Sequence, residues 1–248
     1  MENITSRKNE KVMHIKKLWG DRKYRYQCRQ FVCDGEKLLK EAISNGAQIG
    51  WVFLCEDIET NLSGLECYRV SRELIEHMSP LKTAQSVIFS CNMPVREKSL
   101  ESGSVILENI QDPGNVGTMI RTANALGLRE VMLLGDCADI YNSKTMRAAM
   151  GAVFRQKICQ IDYEDIQTIR DRGIDIFAAA MTDDCIEIDK ADLSNCVFAI
   201  GNEGNGITKR LFDMCTGKIV IPMDPKCESL NASAAAAIIM WEMRRHQR

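Results

Sequence analysis

Three turn-rich segments of this 248-residue sequence gather the side chains that could do chemistry. The first is Asn115-x-Gly117-x-x-x-Arg121, directly behind Asp112-Pro113-Gly114. Pro113 and Gly114 make a turn, and helical spacing follows, with Val116, Ile120, Ala123 and Leu126 on one apolar stripe. A helix start presents free backbone N–H groups to an anion, and Arg121, one to two turns in, adds a cation able to bind a phosphate bidentately. An ordinary strand–turn–helix connection accounts for the same residues. The second segment is Gly201-x-Glu203-Gly204-x-Gly206, where glycines allow backbone to approach a ligand closely and Glu203 is the only acid in the turn. Its G-x-x-G-x-G order is not the dinucleotide fingerprint G-x-G-x-x-G. The third is Ile221-Pro222 followed by Ser229-Leu230-Asn231, an open loop ahead of a long helix, for which Ser229 is the natural N-cap.

The elements that must position these loops follow from short apolar runs alternating with helical patterns. Residues 31–34, 51–55 and 87–90 read as strands, 35–45 as a helix stopped by Gly46, and Ser71 as the N-cap of a second helix. Residues 91–103, with Pro94, a charge cluster and Ser/Gly, form the best linker. Beyond it, strands are expected at 104–109, 131–134, 153–159, 174–179, 196–200 and 219–221, separated by helical stretches. That alternation predicts an α/β fold with a parallel sheet, whose ligands sit beyond the carboxyl ends of the strands.

Composition excludes several classes. With 45% apolar and 27% charged residues the chain is neither disordered nor fibrous. The longest near-apolar run, residues 232–241, is ten residues against the ~18 a membrane helix needs, and the polar, basic first 17 residues carry no secretory signal. Eleven cysteines without any C-x-x-C pair, and three histidines far apart, argue against a metal site and for buried, reduced thiols in the cytoplasm. Residues 1–30 hold nine Lys/Arg against three acids, a balance of +6, so with a chain total of −2 the remainder carries −8. A basic N-terminal arm that grips a polyanion is one reading, and a solvated helix face is the other.

The joint order and spacing of the three segments resemble the three motifs of the SpoU/TrmH family of RNA 2′-O-ribose methyltransferases. The likeness runs continuously over residues 104–248 and takes in 143–154, including Arg147. More weakly, residues 29–39 resemble the family's L30e-like substrate-binding domain. Asn202 departs from the small residue many relatives carry. The resemblance implies an N-terminal L30e-like α/β domain (1–95) and a C-terminal parallel-sheet domain (104–248) with a deep SPOUT-type trefoil knot. It implies S-adenosylmethionine as cofactor, RNA as partner, and a homodimer without metal or membrane. By position, Gly201, Ile221 and Leu230 would contact the cofactor, and Asn115, Arg121, Glu203, Ser229 and Asn231 would form the reacting centre. Arginine resists deprotonation, so Arg121 suits phosphate clamping or alkoxide stabilisation better than proton abstraction. The L30e-like domain favours 23S ribosomal RNA over tRNA, with Lys144, Arg147 and Arg155 as further contacts. A non-catalytic RNA-binding or assembly protein of the same fold is the competing reading.

Overall fold

The computed structural model describes residues 1–81, 83–180 and 185–246, which group into two compact units. The first unit comprises Met1–Val95 and Tyr141–Met146. Its elements are β1 (Glu2–Ile4), α1 (Glu10–Gly20), α2 (Arg22–Cys28), β2 (Gln30–Asp34), α3 (Glu36–Ser44), β3 (Ile49–Leu54), β4 (Glu66–Val70), α4 (Arg72–Met78) and β5 (Val87–Asn92). They build a mixed five-stranded sheet in the order β1-β4-β3-β5-β2. Ser71 caps α4 as its sequence position suggests, accepting from the Leu74 amide at 3.2 Å.

The basic first 30 residues fold into this unit rather than extending as an arm. β1 pairs in parallel with β4, and α1 buries Val12, Ile15 and Leu18 against the sheet. Burying each such aliphatic side chain is worth about 1.5–3 kcal/mol, ample reason for the segment to dock. Arg25 is buried and donates to the Leu18 carbonyl at 2.6 Å, while Lys16, Lys17, Arg22 and Lys23 stay exposed.

The second unit, Arg96–Ile140 with Arg147–Arg248, carries the three turn-rich segments. After β6 (Ser104–Glu108), α5 (Pro113–Leu126) and β7 (Val131–Leu134), α6 (Ser143–Ala149) starts within the stretch that groups with the first unit. Then come β8 (Ile158–Ile161), α7 (Tyr163–Asp171), β9 (Asp175–Ala179), β10 (Ile186–Glu187), β11 (Cys196–Ile200), α8 (Lys209–Met214), β12 (Gly217–Val220) and α9 (Ala232–His246). The seven strands form one wholly parallel sheet in the order β10-β12-β9-β11-β6-β7-β8. Parallel sheets are covered on both faces, and β6, β7 and β11 are accordingly buried along their whole length.

Two expectations need correction. The strand read over 153–159 starts only at Ile158, because Gly151 takes φ 83° and turns Ala152–Phe154 into a 3-10 helix. The linker is also shorter than 91–103. β5 extends to Asn92, and residues 96–100 are fastened to the second unit. The fully buried Glu130 carboxylate accepts from the amides of Ser99 and Leu100 and from the Ser99 hydroxyl. Arg172 donates to the carbonyls of Ser99 and Leu100, and Arg96 reaches the Val153 carbonyl at 2.6 Å.

All eleven cysteines are free, but only five are buried and Cys227 is exposed. Burial pushes the thiols of Cys159, Cys196 and Cys215 up to about 12, which keeps them protonated. Among the described residues no helix is long and apolar enough to cross a membrane, and no group of three or more His, Cys, Asp or Glu could hold a metal ion.

Candidate active site

The register of the sheet decides where the site lies. β6 and β11 are adjacent and aligned, Leu107 facing Ile200, so the loops that follow them leave the same edge side by side. The loop after β6 leads into α5, where the Asp112 carboxylate caps the helix by accepting from the Asn115 amide at 2.8 Å. The loop after β11 carries Glu203 to this helix start. The Glu203 carboxylate accepts from the amides of Gln111 at 3.2 Å and Asp112 at 3.3 Å and from Asn115 Nδ2 at 2.9 Å. Asn115 Oδ1 in turn accepts from Asn231 Nδ2 at 3.3 Å. Three side chains, one from each sequence segment, thus form a single chain of hydrogen bonds.

Asn231 also settles how α9 begins. Its Oδ1 accepts from the amides of Ser233 at 2.9 Å and Ala234 at 3.3 Å, so Asn231, not Ser229, is the N-cap. Both residues are cap formers. Asn231 wins because it lies directly ahead of the first helical residue and its second amide atom is anchored on Asn115. Ser229 is left exposed in the loop.

The glycines of the second segment fold it back on itself. Asn202 and Gly206 exchange both backbone hydrogen bonds, at 3.0 and 2.9 Å, across a five-residue turn in which Gly206 has φ 66°. Gly201 lies beneath this closure, where a Cβ would come within 2.2 Å of the Gly206 carbonyl carbon. Asn202, which sequence reasoning noted only as a departure, holds the loop. Its Oδ1 accepts from the amides of Gly204 and Asn205, and its Nδ2 donates to the Asn109 carbonyl at 2.9 Å. The far end is tied by buried Glu108, which accepts from the Thr208 amide at 2.7 Å and the Thr208 hydroxyl at 2.6 Å.

Behind this loop lies a cavity of about 370 Å³. Gly201, Ile221 and Leu230 all line it, together with Glu203 and Ser229. Ala179, Phe212 and Ile239 line it too and were not singled out in the sequence. Ala179 ends β9, so the strand-end rule pointed to it, but alanine carries no chemical signature. Phe212 and Ile239 lie inside helices and gave no signal. Asn115 and Asn231 reach the cavity's edge through Glu203, whereas Arg121 lines neither the cavity nor the hydrogen-bond chain. It stands exposed on α5, and no described side chain holds its guanidinium.

Partial burial raises the Glu203 carboxyl, but the hydrogen bonds from Asn115 and from the Gln111 and Asp112 amides outweigh it, so the net shift is downward. A carboxylate with a folded value below its unfolded one stabilises above the unfolded range, about 4.3, and loses that contribution as pH falls through the folded value. Melting temperatures of the wild-type and Glu203→Gln proteins should therefore differ at pH 7 and converge as the pH falls through the lowered range of this carboxyl. A difference that is constant with pH would show that the charge of Glu203 does not support the loop.

Residues 103–241 match the SpoU rRNA Methylase family, and residues 9–88 match the MRM3-like substrate binding domain. The sequence is 30% identical to the 23S rRNA (guanosine(2553)-2′-O)-methyltransferase RlmP of Bacillus subtilis, over 98% of this chain and 100% of that protein. It is 25% identical to a 23S rRNA (uridine(2479)-2′-O)-methyltransferase of Streptomyces viridochromogenes, over 98% and 92% of the two chains. The structure superposes on the AdoMet-bound rRNA methyltransferase of Sinorhizobium meliloti with a TM-score of 0.87 at 26% identity, covering 100% of this chain and 98% of that one.

Proposed function

The chain belongs to the SpoU rRNA methylase family, and on that premise we propose that it methylates a ribose 2′-hydroxyl of 23S ribosomal RNA in the cytoplasm as a homodimer. It is an RNA 2′-O-ribose methyltransferase that uses S-adenosylmethionine. The observation that carries the reading is the join between the cavity and the Glu203–Asn115–Asn231 chain.

The cavity fits the cofactor. Its volume falls in the range of small-molecule sites, about 300–1,000 Å³, its walls at Ile207, Phe212, Ile221 and Leu230 are apolar enough for a flat adenine, and the Glu203 carboxylate suits a cation. When bound, S-adenosylmethionine supplies an activated methyl group, which leaves the protein to align the ribose hydroxyl and stabilise the charge its oxygen develops. Glu203 holds Asn115, which in turn holds Asn231, and this linked amide pair would orient the hydroxyl. Arg121, exposed and always charged, suits the phosphate beside the target ribose or the developing alkoxide.

Full-length likeness to 23S rRNA enzymes supports ribosomal RNA over tRNA as the substrate. A homodimer is supported by the outer face of α9, where Ala234, Ile238 and Trp241 form an exposed apolar stripe, Ile238 38% and Trp241 49% accessible. Trp241→Glu should convert the protein to a monomer in sedimentation; a wild-type sedimentation profile for this variant would exclude α9 from the interface.

The test of function is to map 2′-O-methyl sites in total RNA from cells with and without the gene. Loss of one site in 23S rRNA is expected; loss of a tRNA site would redirect the substrate, and cofactor binding without any methyl transfer would favour a non-catalytic role.

The exposed cations of the first unit provide a separate prediction. If they grip phosphate, changing Lys16, Lys17, Arg22 and Lys23 to Gln should weaken RNA binding and flatten its log–log salt dependence by about 0.7–0.9 for each phosphate no longer neutralised. Each of the four is exposed, so the fold should survive. An unchanged slope would leave the grip to Lys144, Arg147 and Arg155, which are also exposed.

A further inference from the structure

We infer that a second, amide-lined cavity beside Glu203 receives the base of the methylated nucleotide and selects it by hydrogen bonds to its edge. This rests on the ribose methyltransferase reading and names the part of the substrate that the cofactor cavity cannot recognise.

The cavity, about 320 Å³, is lined by Asn109, Gln111, Asn202, Asn205, Gly206 and Thr208. Asn202 and Gly206 line both cavities, so the turn that closes over Gly201 is a wall shared between them. The Gln111 amide donates to Glu203, which sets the lining at one hydrogen bond from the reacting centre. A base attached to a ribose held there is within reach, because sugar and base are joined by a single bond.

The chemistry of the lining disfavours charged ligands. It contains no lysine or arginine to pair with a phosphate and no carboxylate to pair with a sulfonium or ammonium group. It holds four carboxamides and one hydroxyl, the groups that match an uncharged edge with adjacent donors and acceptors, which is the signature of a nucleobase. Sequence-specific RNA recognition works on splayed-out bases read along such edges.

Most of these amides are fixed before any ligand arrives. Asn202 is committed to Asn109 and to the amides of Gly204 and Asn205. Gln111 Nε2 donates to the Asp136 carbonyl, and Asn109 Oδ1 accepts from the Asp136 amide at 2.9 Å. Asn109 itself is held at φ 54°, a left-handed conformation that asparagine tolerates and that occurs at sites where geometry matters. Thr208 spends its proton on Glu108. The Asn205 carboxamide is the exception: among the described residues it has no hydrogen-bond partner. Its backbone amide, not its side chain, holds the turn by donating to Asn202 Oδ1 at 3.0 Å. Asn205 is therefore the reader in a frame built by the others.

The experiment uses the full-length protein and a transcript spanning the mapped methylation site, made in four versions that differ only in the target base. Wild-type protein is expected to prefer one base. Asn205→Ala should keep its cofactor affinity and melting temperature, lower kcat/KM on the preferred transcript by about 10- to 100-fold, the scale of one bidentate base contact, and narrow the preference among the four. Lys209→Gln, an exposed change on α8 outside the lining, serves as the control and should match wild type. An Asn205→Ala protein with wild-type kcat/KM and base preference would overturn this inference alone. Loss of cofactor affinity in that variant would also overturn it, because Asn205 would then be supporting the cofactor loop. Absence of methyl transfer by the wild-type protein on every transcript would overturn the methyltransferase reading itself, and the base pocket with it.

Discussion

Arg121→Ala is expected to slow methyl transfer severely while leaving S-adenosylmethionine binding within about twofold of wild type. The expected loss in kcat is roughly 100- to 1,000-fold, the range for deleting one preorganised donor at a developing anion. The separation of the two effects follows from the structure. Arg121 stands exposed on α5, outside the cavity lining, and takes no part in the Asn115–Glu203–Asn231 chain. Nothing in the cavity behind the glycine loop should register its removal. Isothermal titration with S-adenosylmethionine and single-turnover transfer to 23S rRNA measure the two quantities independently. A variant that loses cofactor affinity but turns over normally at saturating cofactor would move Arg121 from the RNA side to the cofactor side. Arg121→Lys should rescue little, because an ammonium cannot reproduce the bidentate fork at a phosphate.

Gly201→Ala should act on the opposite half of the site. The added Cβ would lie 2.2 Å from the Gly206 carbonyl carbon, 2.3 Å from the Ile207 amide nitrogen and 2.4 Å from the Gly206 oxygen. All three are backbone atoms, so no side-chain rotation can relieve the clash, and the bridge between Asn202 and Gly206 must open. Overpacking costs about 1–3 kcal/mol where side chains can give, and a rigid backbone puts this site at the upper end. Cofactor affinity should fall by roughly 100-fold, with kcat falling as well because Glu203 rides on the same turn. Gly206→Ala provides the contrast. A Cβ there meets nothing within 4 Å, and only the φ of 66° opposes it, a penalty of about 1–2 kcal/mol. If Gly201→Ala bound cofactor as tightly as Gly206→Ala, the close approach at Gly201 would not shape the cavity.

Much of this protein is legible in its residues because the physics involved is local. The runs at 131–134 and 196–200 are apolar without alternation, as strands buried on both faces must be, and both are strands in the structure. Pro113, Gly201, Gly206 and Pro222 punctuate the chain where backbone geometry is restricted or unusually free, which is why the three turn-rich loops could be located without a structure. β4, Glu66–Val70, was not legible. It interleaves the charged Glu66 and Arg69 with Cys67, Tyr68 and Val70, and it is a strand because β1 and β3 flank it on either side. The folded state of the basic first 30 residues was equally hidden. Their charge is plain in the sequence, but docking depends on Val12, Ile15 and Leu18 finding a sheet assembled from residues far along the chain.

The sequence by itself determined which residue types the candidate site could draw on: an arginine, a carboxylate and two asparagines on segments after apolar strands, with glycines where the backbone must come close. Only the tertiary structure decided which of them meet. Glu203 is 88 residues from Asn115, and Asn231 is 116 residues from it. No local propensity measures such separations. They close because β6 and β11, remote in sequence, are neighbours in register in the parallel sheet, so their loops emerge at one edge. The same long-range placement made Asn231 rather than Ser229 the helix cap and left Arg121 apart from the hydrogen-bonded chain. Residue type suited Ser229 to the cap as well as Asn231, and Arg121 to the chain as well as its members; position in the folded sheet, which depends on the whole core at once, made the choice.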